Sequence, residues 1–409
     1  MHLGACINRA PSGVEMLGVW CAGAWAQGLG PSDAFTFGGQ FRINTFAERS
    51  LEDVPVTLLG ERIRLRPSAR FRLDDGVAGF LQLEANQVDN AFVFRARYAD
   101  ASVAFGDLEL HAGLLPLSDQ FGDTLFSASW DFNPLAAELR GKAERWSGRV
   151  AAGLVYQGPI PTQALDDVAL VLGDLDRGTF GVSVVAVGGA QESAVLQSNW
   201  LLVPGVRFTP KVGDGTLAFA LLGSALLPDG PLDPTSFGGA GRVEATIPVG
   251  SATVSALGLY ATGGGLSENS DDGPDHAFVT PMSAFGFHGY WGYTGRLTVQ
   301  GPTDQGMDDP YNIDGGTYDR TRLGQGMATL QGRLAAPVSK VVTLTGAAGA
   351  FAGAEGGLYG VDGLGGLTWK PRPEVALDSI GTVTRFGAEH HARADTTSLA
   401  LATRLQLEF

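Results

Sequence analysis

Thr397-Ser-Leu-Ala-Leu-Ala-Thr-Arg-Leu-Gln-Leu-Glu-Phe409 alternates residue by residue. Leu399, Leu401, Leu405, Leu407 and Phe409 share one parity; Ser398, Ala400, Ala402, Arg404, Gln406 and Glu408 share the other. Successive side chains leave a strand on opposite faces, so this stretch predicts one long strand with an oily face and a polar face. A half-buried strand of a soluble sandwich also alternates, but it seldom runs this far before a turn.

The same period recurs upstream. Phe35, Phe37, Phe41 and Ile43 are offset from Thr36, Gln40, Arg42 and Asn44. In Arg62-Ile-Arg-Leu-Arg-Pro-Ser-Ala-Arg-Phe-Arg-Leu73, five arginines share one face and the apolar residues the other. Leu81 and Leu83 oppose Gln82, Glu84 and Asn86; Phe92, Phe94 and Tyr98 oppose Arg95 and Arg97; Leu108, Leu110 and Leu114 oppose Glu109 and His111. No 3.6-residue period competes over a comparable length.

Composition agrees. Glycine makes up 59 of 409 residues, about twice the usual ~7%, and charged residues only 17%, against ~25% in soluble proteins. Mean hydropathy of +0.08 is too low for a bundle of membrane helices, and Pro and Gly interrupt each uncharged stretch. The 44% apolar content excludes disorder, and a net charge of −15 argues against nucleic-acid binding, which needs a basic face.

Short turns, such as Asp74-Asp75-Gly76 and Gly106-Asp107, alternate with long connections at residues 47–59, 116–134, 226–236, 263–276 and 301–323. The four lysines, Lys142, Lys211, Lys340 and Lys370, fall on the short-turn side, whereas acids such as Asp271, Asp272, Asp304 and Asp308 collect in long loops. About twenty candidate strands can be marked, the weakest being Phe278–His288 and Trp291–Gln300. An apolar belt this large belongs in lipid rather than water, and in lipid only a closed sheet pairs all its backbone groups. The expectation is an all-β chain: a transmembrane antiparallel up-and-down barrel of about 18 strands (range 16–20), with short periplasmic turns and longer extracellular loops. The rival fold is a soluble sandwich, which does not explain so charged a second face.

Residues 1–26 predict an export signal: an apolar run, Met16 to Ala26, ends in the A-x-A pattern Ala24-Trp25-Ala26, though the preceding region is only weakly basic. Residues 27–409 are then one barrel domain, and cleavage removes both cysteines, Cys6 and Cys21. That excludes disulfides, cysteine metal sites and cysteine nucleophiles together.

The chemistry lies in arginine, which makes up all the basic residues but four. Arg42, Arg62, Arg64, Arg66, Arg70, Arg72, Arg95 and Arg97 project from the non-lipid face, because each would cost about 2–4 kcal/mol at the bilayer midplane. A guanidinium is a permanently charged fork suited to carboxylate or phosphate, so such a wall would guide anions through a pore. The same arginines can instead pair across the interior with Glu84, Glu109 and loop acids. The segment Pro116–Pro134 sets Asp119, Asp123 and Asp131 beside Phe121, Phe126, Trp130 and Phe132. Aromatics fit poorly in solvent, so this third long connection is expected to fold inward and constrict the interior.

Arg95-Ala-Arg-Tyr98 and Gly106-Asp-Leu-Glu-Leu-His-Ala-Gly113-Leu-Leu-Pro116, followed by an aromatic loop, resemble outer-membrane porins, nearest to the phosphate-selective and alginate-export families. The terminal Phe409 is similar to those barrels' membrane-insertion signal. Leu114-Leu115 depart from the Arg-Gln that relatives often carry there. The resemblance implies a Gram-negative outer-membrane channel for small hydrophilic, anionic solutes, without cofactor or metal. Its partners would be outer-membrane lipid, lipopolysaccharide and the barrel-assembly machinery. The alternatives are a plugged or partner-sheathing structural or adhesive barrel, and an acidic-polysaccharide export barrel. No H-E-x-x-H, G-x-S-x-G or phosphate-loop motif occurs, His390-His391 reads as a solvated loop pair, and an enzyme is not expected.

Overall fold

A computed structural model describes residues 35–51, 57–73, 76–88, 91–121, 125–126, 128, 133–155, 168–190, 198–228, 235–263, 276–279, 312–313, 317–318, 327–353, 357–388 and 395–409. The proposed export signal and both cysteines lie outside them, as do His390-His391 and the loop acids Asp271, Asp272, Asp304 and Asp308.

The strands follow one another around a ring. The first nine are β1 (Phe35–Ser50), β2 (Thr57–Arg72), β3 (Val77–Val88), β4 (Ala91–Phe105), β5 (Leu108–Leu114), β6 (Leu135–Ala143), β7 (Trp146–Leu154), β8 (Ala169–Arg177) and β9 (Phe180–Ala190). The rest are β10 (Ser198–Phe208), β11 (Gly215–Pro228), β12 (Ser236–Val249), β13 (Ala252–Ala261), β14 (Met327–Pro337), β15 (Val342–Ala352), β16 (Leu358–Arg372), β17 (Val375–Phe386) and β18 (Thr397–Glu408). Lys211–Val212 continues β10 past Pro210 and pairs with β11, so it adds no stave. Every strand is antiparallel to its neighbours, and β18 returns to β1 from Gln40↔Glu408 to Ser50↔Ser398, closing eighteen strands. Phe409 completes the seam: Gly39 N donates to its carbonyl at 2.7 Å, and its own N–H donates to Gly39 O at 3.1 Å.

Alternation decides which way each side chain points. Phe37, Phe94, Val150, Leu221 and Leu330 stand 57% or more exposed on the outer wall. Arg42, Arg64, Arg66, Asn86 and Arg97, on the other parity, are buried. Short turns close one end, where Gly106 and Gly178 hold φ near +60°, the conformation that tight hairpins need.

Three expectations are corrected. The loop foreseen at residues 47–59 is shorter, because β1 runs to Ser50 and β2 begins at Thr57. The candidate strand Phe278–His288 is not a stave, since β13 pairs directly with β14 and His276–Val279 are not in a strand. Trp291–Gln300 lies outside the described residues. The third correction is Tyr98. The β3–β4 register slips between Gln82↔Tyr98 and Leu83↔Ala96, which leaves Arg97 as an extra residue. A bulge of this kind shifts the parity of everything beyond it. Tyr98 therefore turns inward and is 5% exposed, instead of joining Phe92 and Phe94 in the lipid.

The packed core lies inside one side of the ring. Leu170 and Leu172 of β8, Val185 and Val187 of β9, Leu201 and Val203 of β10 and Leu222 of β11 form it with Leu115, Leu117, Phe121, Leu125 and Phe126. Those staves are apolar on both faces: Val171, Leu175, Val184 and Leu202 stand outside. The interior therefore has a basic side, β1–β4, and an apolar side, β8–β11.

Candidate functional site: the interior of the barrel

On the basic side three guanidiniums meet one carboxylate. Glu84, whose side chain is fully buried, accepts from Arg95 Nε at 3.0 Å and Nη2 at 2.7 Å, from Arg97 Nη1 at 3.4 Å, and from Arg66 Nε. The register explains the convergence: Glu84 lies opposite Arg95 on β4, while Arg66 comes from β2 on the other flank. Three guanidiniums thus converge on this carboxylate. Arg42 lies directly across from Arg64 and donates from Nε and Nη2 to Gln406 Oε1 at 3.2 and 3.0 Å. Arg64 Nη2 donates to Gln40 Oε1 at 3.5 Å. Arg70 stacks 5.1 Å over the Phe80 ring, and Arg72 is exposed at the turn end. Arg62 is placed only by register, opposite Asn44; its side chain is outside the described set.

Glu109 takes a different place from the one expected. Its Oε1 lies 3.2 Å from His111 Nε2, and His111 Nδ1 lies 3.4 Å from Asp100 Oδ2. Further ion pairs continue round the wall and were not foreseen: Arg140–Glu138 at 2.7 Å, Arg149–Asp174, Arg207–Asp176 at 2.6 Å, Arg242–Glu244 at 2.8 Å and Arg404–Asp378 at 2.8 Å. The sequence signal was available, since each of these residues has the inward parity of its strand.

The connection after β5 touches widely separated staves. The Ala128 carbonyl accepts from Arg97 Nη2 at 2.9 Å and Tyr98 Oη at 2.8 Å, both on β4. Ser118 O accepts from Arg149 on β7, and Gln120 Nε2 donates to Asp176 on β8 at 2.8 Å. Phe121 O accepts from Arg242 Nη1 on β12 at 2.9 Å. Asp119, expected to face the arginines, is turned onto its own loop. Its carboxylate accepts from the backbone N–H groups of Phe121, Leu125 and Phe126, and it is 7% exposed. Buried N–H groups need acceptors, and a short carboxylate supplies several at once. Asp123, Trp130 and Asp131 lie outside the described residues.

A second segment lies against the β11–β12 wall. Ser236 Oγ donates to Ala277 O at 2.7 Å, Val279 N to Ser224 Oγ at 3.0 Å, and Phe278 N to Thr262 O at 2.9 Å. A Cβ on Gly238 would stand 2.3 Å from Ala277 O, so only glycine admits this backbone. Among the described residues no group of three His, Cys, Asp or Glu is placed to hold a metal ion.

An exposed apolar belt around a closed sheet with a charged interior defines an outer-membrane β-barrel of the porin fold. Solved porin structures share it. OpdO of Pseudomonas aeruginosa aligns at a TM-score of 0.59 and 11% identity over 92% of this chain and 97% of that one. A BenF-like porin from Pseudomonas fluorescens aligns at 0.59 and 8%, over 93% and 100%. OprD of Pseudomonas aeruginosa aligns at 0.55 and 10%, over 92% and 94%. No family model matches the sequence, and no curated protein matches it significantly. The likeness shows the eighteen-strand barrel fold of these porins; the nearer resemblance to phosphate-selective and alginate-export barrels is not supported. The neighbours are porins rather than enzymes.

Proposed function

We propose that this chain is a passive diffusion channel for small hydrophilic, anionic solutes. The arginines of β1–β4 line its passage, and the third long connection, residues 115–134, folds inward to narrow it. The observation that carries the reading is the concentration of guanidiniums on β1–β4: Arg66, Arg95 and Arg97 converge at Glu84, and Arg42 lies opposite Arg64 on the same wall. In a narrow, low-dielectric passage a wall set with fixed positive charges raises the local concentration of anions. Lipid and lipopolysaccharide would surround the barrel, and the Phe409 end is the part the assembly machinery would read.

A planar-bilayer recording tests this. Ohmic steps are expected, with a reversal potential under a KCl gradient that favours chloride. Arg42→Glu with Arg64→Glu, which leaves the Glu84 cluster intact, should move the preference toward cations. An unchanged reversal potential refutes the arginine mechanism. The amount of apolar packing inside the ring favours a second reading, a barrel with an occupied interior serving a structural or partner-sheathing role. That reading predicts no conductance steps.

A further inference from the structure

The outer wall carries a depression that solute passage does not use. A groove of about 450 Å³ crosses β5 to β8, bordered by Leu108, Leu139, Gly141, Gly148, Val150 and Leu175. Register explains its shape. Leu108↔Gly141, Gly141↔Gly148 and Gly148↔Leu175 form one row, in which two adjacent staves lack a side chain between two leucines. Leu108 and Leu175 lean over the glycines, since a Cβ on Gly141 would stand 2.9 Å from Leu108 Cδ2 and one on Gly148 3.3 Å from Leu175 Cδ1. Two residues farther from the turns, Val150 lies opposite Gly173, where a Cβ would meet nothing within 4 Å. The leucines and Val150 are 40% or more exposed, so the groove faces outward.

Two residues nearer the turns, the row is Ala143↔Trp146, Trp146↔Arg177 and Arg177↔Phe180. It is the last row before the Glu144–Arg145 and Gly178–Thr179 turns. The Arg177 guanidinium lies 5.2 Å from the Trp146 ring centroid. Both rings, Trp146 and Phe180, stand outward. Arg145 is exposed in the adjoining turn, with the carboxylates of Glu144 and Asp107 in that turn and its neighbour. Outward tryptophan marks the headgroup level of a bilayer, and a cation there meets lipid phosphate. An oily groove at acyl depth, with a stacked arginine one row nearer the turns, is complementary to one molecule with a tail and a phosphate.

We propose that this groove binds an anionic phospholipid of the leaflet on the turn side. One acyl chain lies over Gly141 and Gly148, and the phosphate is held by Arg177 with Arg145 of the adjoining turn. Guanidinium supplies paired donors to phosphate, and the Trp146 ring fixes its orientation.

Native mass spectrometry of the folded barrel, released from detergent doped with phosphatidylglycerol or phosphatidylcholine, tests this. One phosphatidylglycerol should be retained with about fivefold preference over phosphatidylcholine, the value of a single interfacial cation. Arg177→Gln should abolish the preference. Gly173→Leu fills the groove from a position with open space, so it should lower phosphatidylglycerol occupancy without impairing folding. Gly258→Leu, at an equally open glycine on β13 outside the groove, should change nothing. Equal retention of the two lipids, or full occupancy in Gly173→Leu, overturns the proposal. So does a dimer of the barrel that Gly173→Leu dissolves, because the groove would then belong to a second copy.

Discussion

Arg97 and Tyr98 are consecutive on β4, yet both donate to one oxygen, the carbonyl of Ala128, at 2.9 and 2.8 Å. In a regular strand neighbours point to opposite faces. The bulge at Arg97 removes that constraint and aims both side chains at the connection after β5. Arg97 is also 4.9 Å from the Tyr98 ring, and its carbonyl accepts from Asn133 Nδ2, so a single residue ties β3, β4 and the second half of the connection together.

Hydrogen exchange across residues 115–134 should grade these ties. Tyr98→Phe removes one neutral donor, worth about 1 kcal/mol, and should speed exchange roughly fivefold. Arg97→Met removes a charged donor from the Ala128 carbonyl, which keeps Tyr98, and from Glu84, which keeps Arg66 and Arg95; a hydrogen bond from a charged group is worth about 1.5–3 kcal/mol. Its effect should exceed that of Tyr98→Phe severalfold. Equal effects would mean that the guanidinium does not hold the connection.

Glu84→Gln should destabilise the barrel more than any change among its three arginines. Among the described residues it removes the carboxylate on which Arg66, Arg95 and Arg97 converge, in a buried site. The heat-modified gel shift reads the midpoint directly. Combining Glu84→Gln with Arg97→Met should restore part of the loss, since the coupling of contacting charges is non-additive. Strict additivity contradicts the cluster.

Gly205→Val tests the seat of Phe121. A Cβ there would stand 2.4 Å from Phe121 Cζ and 2.6 Å from Leu222 Cδ2, so the ring must leave its place on β10. Overpacking of this kind costs about 1–3 kcal/mol. Faster exchange at residues 115–121 is expected, while Gly258→Ala, which meets nothing, should remain within about 0.5 kcal/mol of the parent.

Phe278→Ala should loosen the second inward segment. The ring is 4% exposed within the interior core, and truncating a buried phenylalanine costs about 3–5 kcal/mol. Ser224→Ala and Ser236→Ala each remove one tether, of about 1 kcal/mol. Exchange over residues 276–279 should rise in all three, most in Phe278→Ala. No change in any of them would show that other contacts hold the segment.

Much of the barrel was legible because alternation is a local property. The parity of Phe37, Leu65, Leu81 and Leu401 can be counted along the chain without knowing any partner, and each stands on the outer wall. The inward parity of Arg42, Arg64, Arg66 and Glu84 follows by the same count. That Asp119 accepts from backbone N–H donors of its own loop is a contact that composition does not reveal. The apolar interior of β8–β11 had a signal in Ala169-Leu-Val-Leu172 and Val182 to Val187, runs greasy on both parities.

The sequence by itself determined the period, and with it the closed sheet, the oily outer wall and the face that carries arginine. A two-residue repeat, fixed by backbone geometry, needs no long-range information. Only the tertiary structure decided where that repeat is broken and what fills the ring. One unpaired residue at Arg97 turns Tyr98 around, and this is visible only once β3 is laid beside β4. The packing of Phe121 and Phe278 on the apolar side likewise depends on staves far away in the chain, because burial is a property of the neighbours a side chain meets.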